Sequence, residues 1–171
     1  ARAMKNMGLS NLNLINPKKF PHGDARALSG NALDLLENAV VHQDIQSAIA
    51  NSKYVLATSA RERSIDWPIV EAREAAIKIK SMVEKGDEIS ILFGREDRGL
   101  TNEELQLANE HLIIPADTDY PVLNLAMSVQ LVCYEIHTAL KSNHNFSWQD
   151  YPAYTHQEID NLIEHFNETA F

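Results

Sequence analysis

At 171 residues, 44% hydrophobic and 23% charged, the chain has the size and composition of one globular domain with a short appendage, which excludes a low-complexity or disordered class. A formal net charge of −9 excludes a uniformly basic nucleic-acid-binding surface and leaves room only for a local basic site. The single cysteine, Cys133, excludes an internal disulfide and predicts a reducing compartment, the cytoplasm, while no signal-peptide pattern and no apolar run near 18 residues is found.

The opening "ARAMKNMGLSNLNLINP" reads as the inside of a helix followed by a short strand at Leu12–Ile15. An α/β domain more naturally opens on a strand, so a strand before Ala1 is expected. Further apolar runs follow at Ala39–Val41, Tyr54–Thr58, Ile89–Phe93 and Leu112–Pro115. Helical periodicity lies between them at Gln43–Ala50, Pro68–Lys85 and Thr101–Glu110. Short strands alternating with helices predict an α/β fold around a mostly parallel sheet, covered on both faces. Thr101 with Glu104 three residues on is a capping box, which places the loop Gly94–Leu100 between a strand end and a helix start. In open α/β sheets ligands bind in that crevice.

The helix expected at Leu125–Lys141 is apolar nearly all round, with Leu125, Val129, Val132, Ile136 and Leu140 on one stripe and Leu131, Cys133 and Tyr134 off it. Such a helix is either central or shared with a second subunit. "KSNHNFSWQDYPAYTHQEI" then reads as a linker, and Thr155–Phe171 as an amphipathic helix with Ile159, Leu162, Ile163 and Phe166 on its apolar face. The domain is accordingly expected over 1–142, with linker and helical extension over 143–171. This last segment holds Asp150, Glu158, Asp160, Glu164 and Glu168 and no Lys or Arg, so the remaining 15 basic and 19 acidic residues leave −4 on the body.

Four stretches carry candidate chemistry, and each has an ordinary reading beside the functional one. "FGREDRGL" is either a solvated loop or a ligand loop whose glycines admit close backbone approach. In "IIPADTDYPVLNLAMSVQL", Asn124 can simply cap a helix and Pro121 set a turn; "VLATSARER" alone is a loop, and Arg2 alone a surface arginine. No GxxxxGK[ST] and no GxGxxG occurs, so neither phosphate cradle is present.

Taken in order and at their spacing, "ARAMKNMGLSNLNLINP", "TSARER", "ILFGREDRGLTNEEL" and "IIPADTDYPVLNLAMSVQLVCYE" resemble the SpoU branch of the SPOUT RNA methyltransferases over residues 1–142, most nearly its TrmJ type. The resemblance implies an α/β-knot fold, with a deep trefoil knot formed by Ile89 to Lys141 and closed around S-adenosylmethionine. It implies 2′-O-methylation of a ribose in the anticodon loop of tRNA by a cytoplasmic homodimer, with no metal. Carried over by position, Thr58, Ser59, Ala60, Gly94, Ile114, Val122, Leu123 and Asn124 would contact the cofactor. Val122 stands where the family often has serine, which removes a side-chain hydroxyl at that point.

Of the family's N-x-G-x-x-A-R motif only Ala1-Arg2 is present, so Arg2 would be the catalytic arginine; Arg95, Glu96 and Asn124 match the remaining catalytic positions. The implied reaction is attack of a ribose 2′-oxygen on the sulfonium methyl, with barriers in alignment and in loss of the hydroxyl proton. A guanidinium with a pKa above roughly 12 holds its proton, so Arg2 suits a phosphate and oxyanion clamp. RNA contacts are expected from Arg61, Arg63, Arg98, Lys18 and Lys19, made to phosphates more than to bases. The rival readings are a ribosomal RNA 2′-O-methyltransferase of the same fold, a non-catalytic module keeping the pocket, and an unrelated nucleotide binder.

Overall fold

The computed structural model describes residues 1–60, 67–141 and 155–169. Its centre is the strand β3 (Tyr54–Thr58), where side chains alternate between two faces. Leu56 faces one core with Val70, Leu112, Ala75, Ile79, Val132 and Ile136; Val55 and Ala57 face a second with Leu92, Leu100, Leu105 and Ala108. A strand apolar on both sides therefore reads as a continuous run, as a covered parallel sheet requires.

The chain runs α1 (Arg2–Asn6), β1 (Asn13–Ile15), α2 (Gly23–Ser29), a 3₁₀ turn (Gly30–Ala32), α3 (Leu33–Glu37), β2 (Val40–His42), α4 (Ile45–Ile49) and β3. After it come β4 (Ile69–Glu71), α5 (Ala72–Val83), β5 (Ile89–Leu92), α6 (Asn102–Leu105), β6 (Glu110–Ile113), α7 (Leu125–Leu140) and α8 (His156–Thr169). Among the described residues the named strands all pair in parallel: β4-β6-β3-β5 form one four-stranded sheet, and β1-β2 pair separately. The expected α/β class and mostly parallel sheet are thus present. No helix among the described residues is long and apolar enough to cross a membrane.

On one face α5 buries Ala72, Ala75, Ala76 and Ile79, spaced i, i+3, i+4 and i+7, so small residues let it lie close to the sheet and to α7. On the other face lie α4, capped by Asp44 accepting from the Ser47 N–H at 2.8 Å, and α6. The C-terminal end of α1 is tied to α7 by the Met7 carbonyl and His137 Nδ1, 2.8 Å apart.

Three boundaries differ from the sequence reading. The helix expected from Pro68 starts at Ala72, because Ile69–Glu71 forms an edge strand against β6, too short to show alternation. The helix expected over Thr101–Glu110 stops at Leu105: Leu105 and Ala108 turn into the second core, and Asn109 pairs with Val55 through both backbone and Oδ1 (2.8 and 2.7 Å). The last strand accordingly begins at Glu110, ahead of the expected Leu112, because its polar residues find partners. Glu110 meets Lys78 at 2.8 Å, and His111 stacks on Trp67 with ring centroids 5.7 Å apart. The helices α2 and α3 had no counterpart in the sequence reading, their short apolar faces being too brief for a periodicity. Of the linker and extension expected over 143–171, residues 143–154 lie outside the described residues, whereas α8 is present and leaves Ile159, Leu162, Ile163 and Phe166 exposed.

Leu112 is 1% exposed at the junction of β6, α5 and α7. Leu112→Ala is expected to lower the unfolding free energy by about 2–5 kcal/mol, read from urea denaturation of both proteins; a loss below about 1 kcal/mol would contradict a tightly packed core here.

Candidate functional site

A cavity of about 130 Å³ opens beyond the carboxyl ends of β3, β5 and β6, the expected crevice of a parallel sheet. At about 10–15 Å³ per water it has room for roughly ten of them, enough for a flat ring system. Its walls are apolar where Phe93, Leu112, Ile114, Pro121 and Leu123 meet, and polar at Thr58, Ser59, Ser128 and Glu96. A larger space of about 560 Å³ lies elsewhere, between the Gly8–Asn13 segment and Glu88. It touches β5 only before the strand begins, and it gathers none of the predicted site residues.

Each wall has a local cause. Thr58 ends β3, and its Oγ1 donates to the Leu92 carbonyl at 3.0 Å, tying β3 to β5 at the floor; its hydroxyl is therefore committed to the scaffold. The Ser59 N–H donates to the Leu112 carbonyl at 3.0 Å, tying the same floor to β6. Gly94 then starts a loop that closes on itself: Gly99 N–H donates to the Arg95 carbonyl at 2.7 Å, and Arg95 N–H returns to Gly99 at 3.3 Å. A Cβ on Gly94 would stand 2.2 Å from the Gly99 carbonyl carbon and 2.3 Å from the Leu100 nitrogen. Glycine at 94 is thus required by the chain's own crossing, and Gly99 adopts φ +70° to complete it.

The four charges between the glycines separate by role. Arg95 makes a two-pronged pair with Glu104, at 3.0 and 3.3 Å, and Glu104 also completes the α6 capping box with Thr101. Glu96 accepts from Asn124 Nδ2 at 2.7 Å, while Asn124 Oδ1 accepts the Ala126 N–H at 2.8 Å and so caps α7. Asp97 and Arg98 make only a loose exposed pair at 3.5 Å, of little energetic weight. In the first turn of α6, Glu103 is held below the usual carboxylate range by its own backbone N–H and by the Thr101 hydroxyl. Burial pushes the Cys133 thiol up, which disfavours the reactive thiolate.

Of the predicted cofactor contacts, Thr58, Ser59, Ala60, Gly94, Ile114, Val122 and Leu123 line this cavity, and Asn124 borders it through Glu96. Arg95 and Glu96 are also in its wall; Arg2, on the exposed side of α1, and Arg98 are not. Lys18 and Lys19 are exposed between β1 and α2 and are not among the lining residues, and Arg61 and Arg63 lie outside the described residues. Sequence reasoning missed Phe93, Leu112, Pro121, Leu125 and Ser128 as lining residues. Ser128 was accessible in principle: it stands one turn after Asn124 and donates to the Asn124 carbonyl at 3.2 Å. Among the described residues no group of His, Cys, Asp and Glu could hold a metal.

Fold and cavity together define an α/β protein with a ligand slot at the carboxyl edge of a parallel sheet. A family model described as the SpoU rRNA Methylase family matches residues 1–134. The chain belongs to the SpoU methylase family. Over 139 residues it is 48% identical to the tRNA (cytidine/uridine/adenosine-2′-O-)-methyltransferase TrmJ of Pseudomonas aeruginosa, covering 81% of this chain and 54% of that one. The chain thus spans about half the length of such relatives. Among solved structures it is similar to a probable methylase family protein from Haemophilus influenzae, with 39% identity, TM-score 0.78, and 98% and 70% of the two chains covered. It is also similar to TrmJ from Z. mobilis ZM4, with 30% identity, TM-score 0.74 and the same coverages.

Gly94→Ala forces the loop crossing apart, so a destabilisation of about 1–3 kcal/mol is expected, together with altered backbone signals at Arg95, Gly99 and Leu100 in an amide NMR spectrum. An unchanged melting temperature and spectrum would contradict the crossing.

Proposed function

We propose that this protein transfers a methyl group from S-adenosylmethionine to a ribose 2′-hydroxyl of tRNA, in the anticodon loop. The observation that carries the reading is the cavity itself, because seven residues named by family position converge on one slot. Its chemistry suits the cofactor: apolar walls at Phe93, Ile114 and Leu123 for a purine ring, polar backbone at Thr58–Ala60, and a Glu96 carboxylate whose charge would favour a cationic sulfur. When bound, the cofactor supplies an electrophilic methyl group on a positively charged sulfur.

The chain's own residues hold and align. Asn124 fixes Glu96 through Oε1, leaving Oε2 without a partner among the described residues and available to orient a ribose hydroxyl or take its proton. Arg2 stands outside the cavity, which fits a clamp on the RNA phosphate better than a role in holding the cofactor. Arg98, one of the cations expected to meet RNA, keeps an exposed side chain at the mouth loop, while Arg95, matched to a catalytic position, is turned toward Glu104 and serves the loop first.

The knot is part of the proposal. β6 enters the sheet between β3 and β4, both earlier in the chain, and α7 then packs on α5; this insertion is the kind of path that threading of Ile89 to Lys141 requires. The homodimer is likewise proposed. Met127, Leu131 and Tyr134 form an exposed stripe on α7, beside exposed Tyr120 and Val122 next to the slot, and a second copy would cover them. That arrangement would bring one subunit's Arg2 toward its partner's slot. A tRNA substrate implies the cytoplasm, and 143–171 would extend the domain toward the rest of the tRNA.

The family model carries ribosomal RNA in its description, whereas the relatives at 44–48% identity are named for tRNA, so tRNA is preferred. Incubating the full-length protein with labelled S-adenosylmethionine and either total tRNA or ribosomal RNA decides between them. Label in tRNA alone is expected; label in ribosomal RNA alone would replace this reading with its rival. Arg2→Ala is expected to abolish transfer while S-adenosylhomocysteine affinity, by titration calorimetry, stays within about twofold of wild type, since an interaction outside the slot adds little to ground-state binding. A tenfold loss of affinity would remove Arg2 from the proposed role.

A further inference from the structure

Glu104 makes more contacts than a capping glutamate needs. Its Oε2 accepts the Thr101 N–H at 2.8 Å, which completes the cap. The same carboxylate also takes both terminal nitrogens of Arg95, Nη2 on Oε1 at 3.0 Å and Nη1 on Oε2 at 3.3 Å. The Glu104 side chain is 18% exposed and that of Arg95 52%, so the glutamate is the anchored partner and the arginine the one held. Planar, two-pronged pairing of this kind fixes orientation as well as distance.

The residue after Arg95 is Glu96, whose Oε1 accepts from Asn124 at 2.7 Å. The two side chains of one dipeptide therefore reach in different directions, to the base of α6 and to the cap of α7. Gly99 holds the Arg95 backbone from a third direction. We infer that Glu104 is a positioning residue for methyl transfer: by anchoring Arg95 it sets the stretch of backbone from which Glu96 is presented at the mouth of the slot. The inference rests on the functional reading above and adds to it a residue outside the cavity wall.

Glu104→Gln tests it, because an amide oxygen still accepts the Thr101 N–H while the charge that attracts Arg95 is gone. In the full-length protein, kcat for tRNA methylation is expected to fall by roughly tenfold to a hundredfold, the scale of a small misplacement of reacting groups. The KM for S-adenosylmethionine and the melting temperature should stay close to wild type. If Glu104 acts through Arg95, the double variant E104Q/R95Q is no slower than R95Q alone. Unchanged kcat in E104Q, a loss confined to the melting temperature, or a loss that multiplies with that of R95Q would each overturn the assignment. A wild-type protein that methylates no RNA would overturn the functional reading and this role with it; an active wild type with an equally active E104Q overturns the role alone.

Discussion

Gly94 passes so close to Gly99 and Leu100 that no side chain can stand there, and the placement of the charged loop follows from that crossing. The strand β5 ends one residue before Phe93, and the chain doubles back within six residues to bury Leu100 in the second core. The turn is closed by two backbone bonds between Arg95 and Gly99, so the intervening charges are displayed on a loop with little freedom. Displaying charge on a rigid element costs less ordering on ligand binding than displaying it on a loose one.

Two helix N-termini then share the loop between them. Thr101 and Glu104 cap α6 and hold Arg95; Asn124 caps α7 and holds Glu96. In both cases a residue whose local task is to satisfy an orphan N–H spends its remaining hydrogen-bonding capacity on the site. Capping and site geometry are therefore one network. The proposed RNA substrate is compatible with the acidic balance of the chain, because site charges placed individually do not depend on a broad basic field.

The scaffold beneath is asymmetric in a way that suits this. The floor of the slot is bound laterally by Thr58 to Leu92 and by Ser59 to Leu112, across three neighbouring strands. The segment 115–124 is held mostly by local bonds, an Asp117 turn accepting from the Asp119 and Tyr120 N–H groups at 2.8 and 3.2 Å and the α7 cap at Asn124, with the Asn124–Glu96 bond reaching across to the charged loop. Exposed apolar residues cluster on this side, at Tyr120, Val122 and Met127, which is where the proposed second subunit would add packing.

Much of this was legible in the residues. The run Tyr54–Thr58 announced a strand covered on both faces, and Thr101 with Glu104 announced a helix start, because period-two burial and capping are local patterns that a few neighbouring residues settle. Slot residues could be named by position because the motifs resemble a known family; periodicity alone would have left each as a loop. The partners of the charges were not legible. Arg95 pairs with Glu104 nine residues on, and Glu96 with Asn124 twenty-eight residues on, because β6 inserts beside β3 and brings two helix starts together. Nor could local pattern show that Leu105–Asn109 would leave the helix to join the core and meet Val55. By itself the sequence determined the elements, their caps and the inventory of chemistry at strand ends; the tertiary structure alone decided which charge meets which partner, because that choice is made by strand order and burial between residues far apart in the chain.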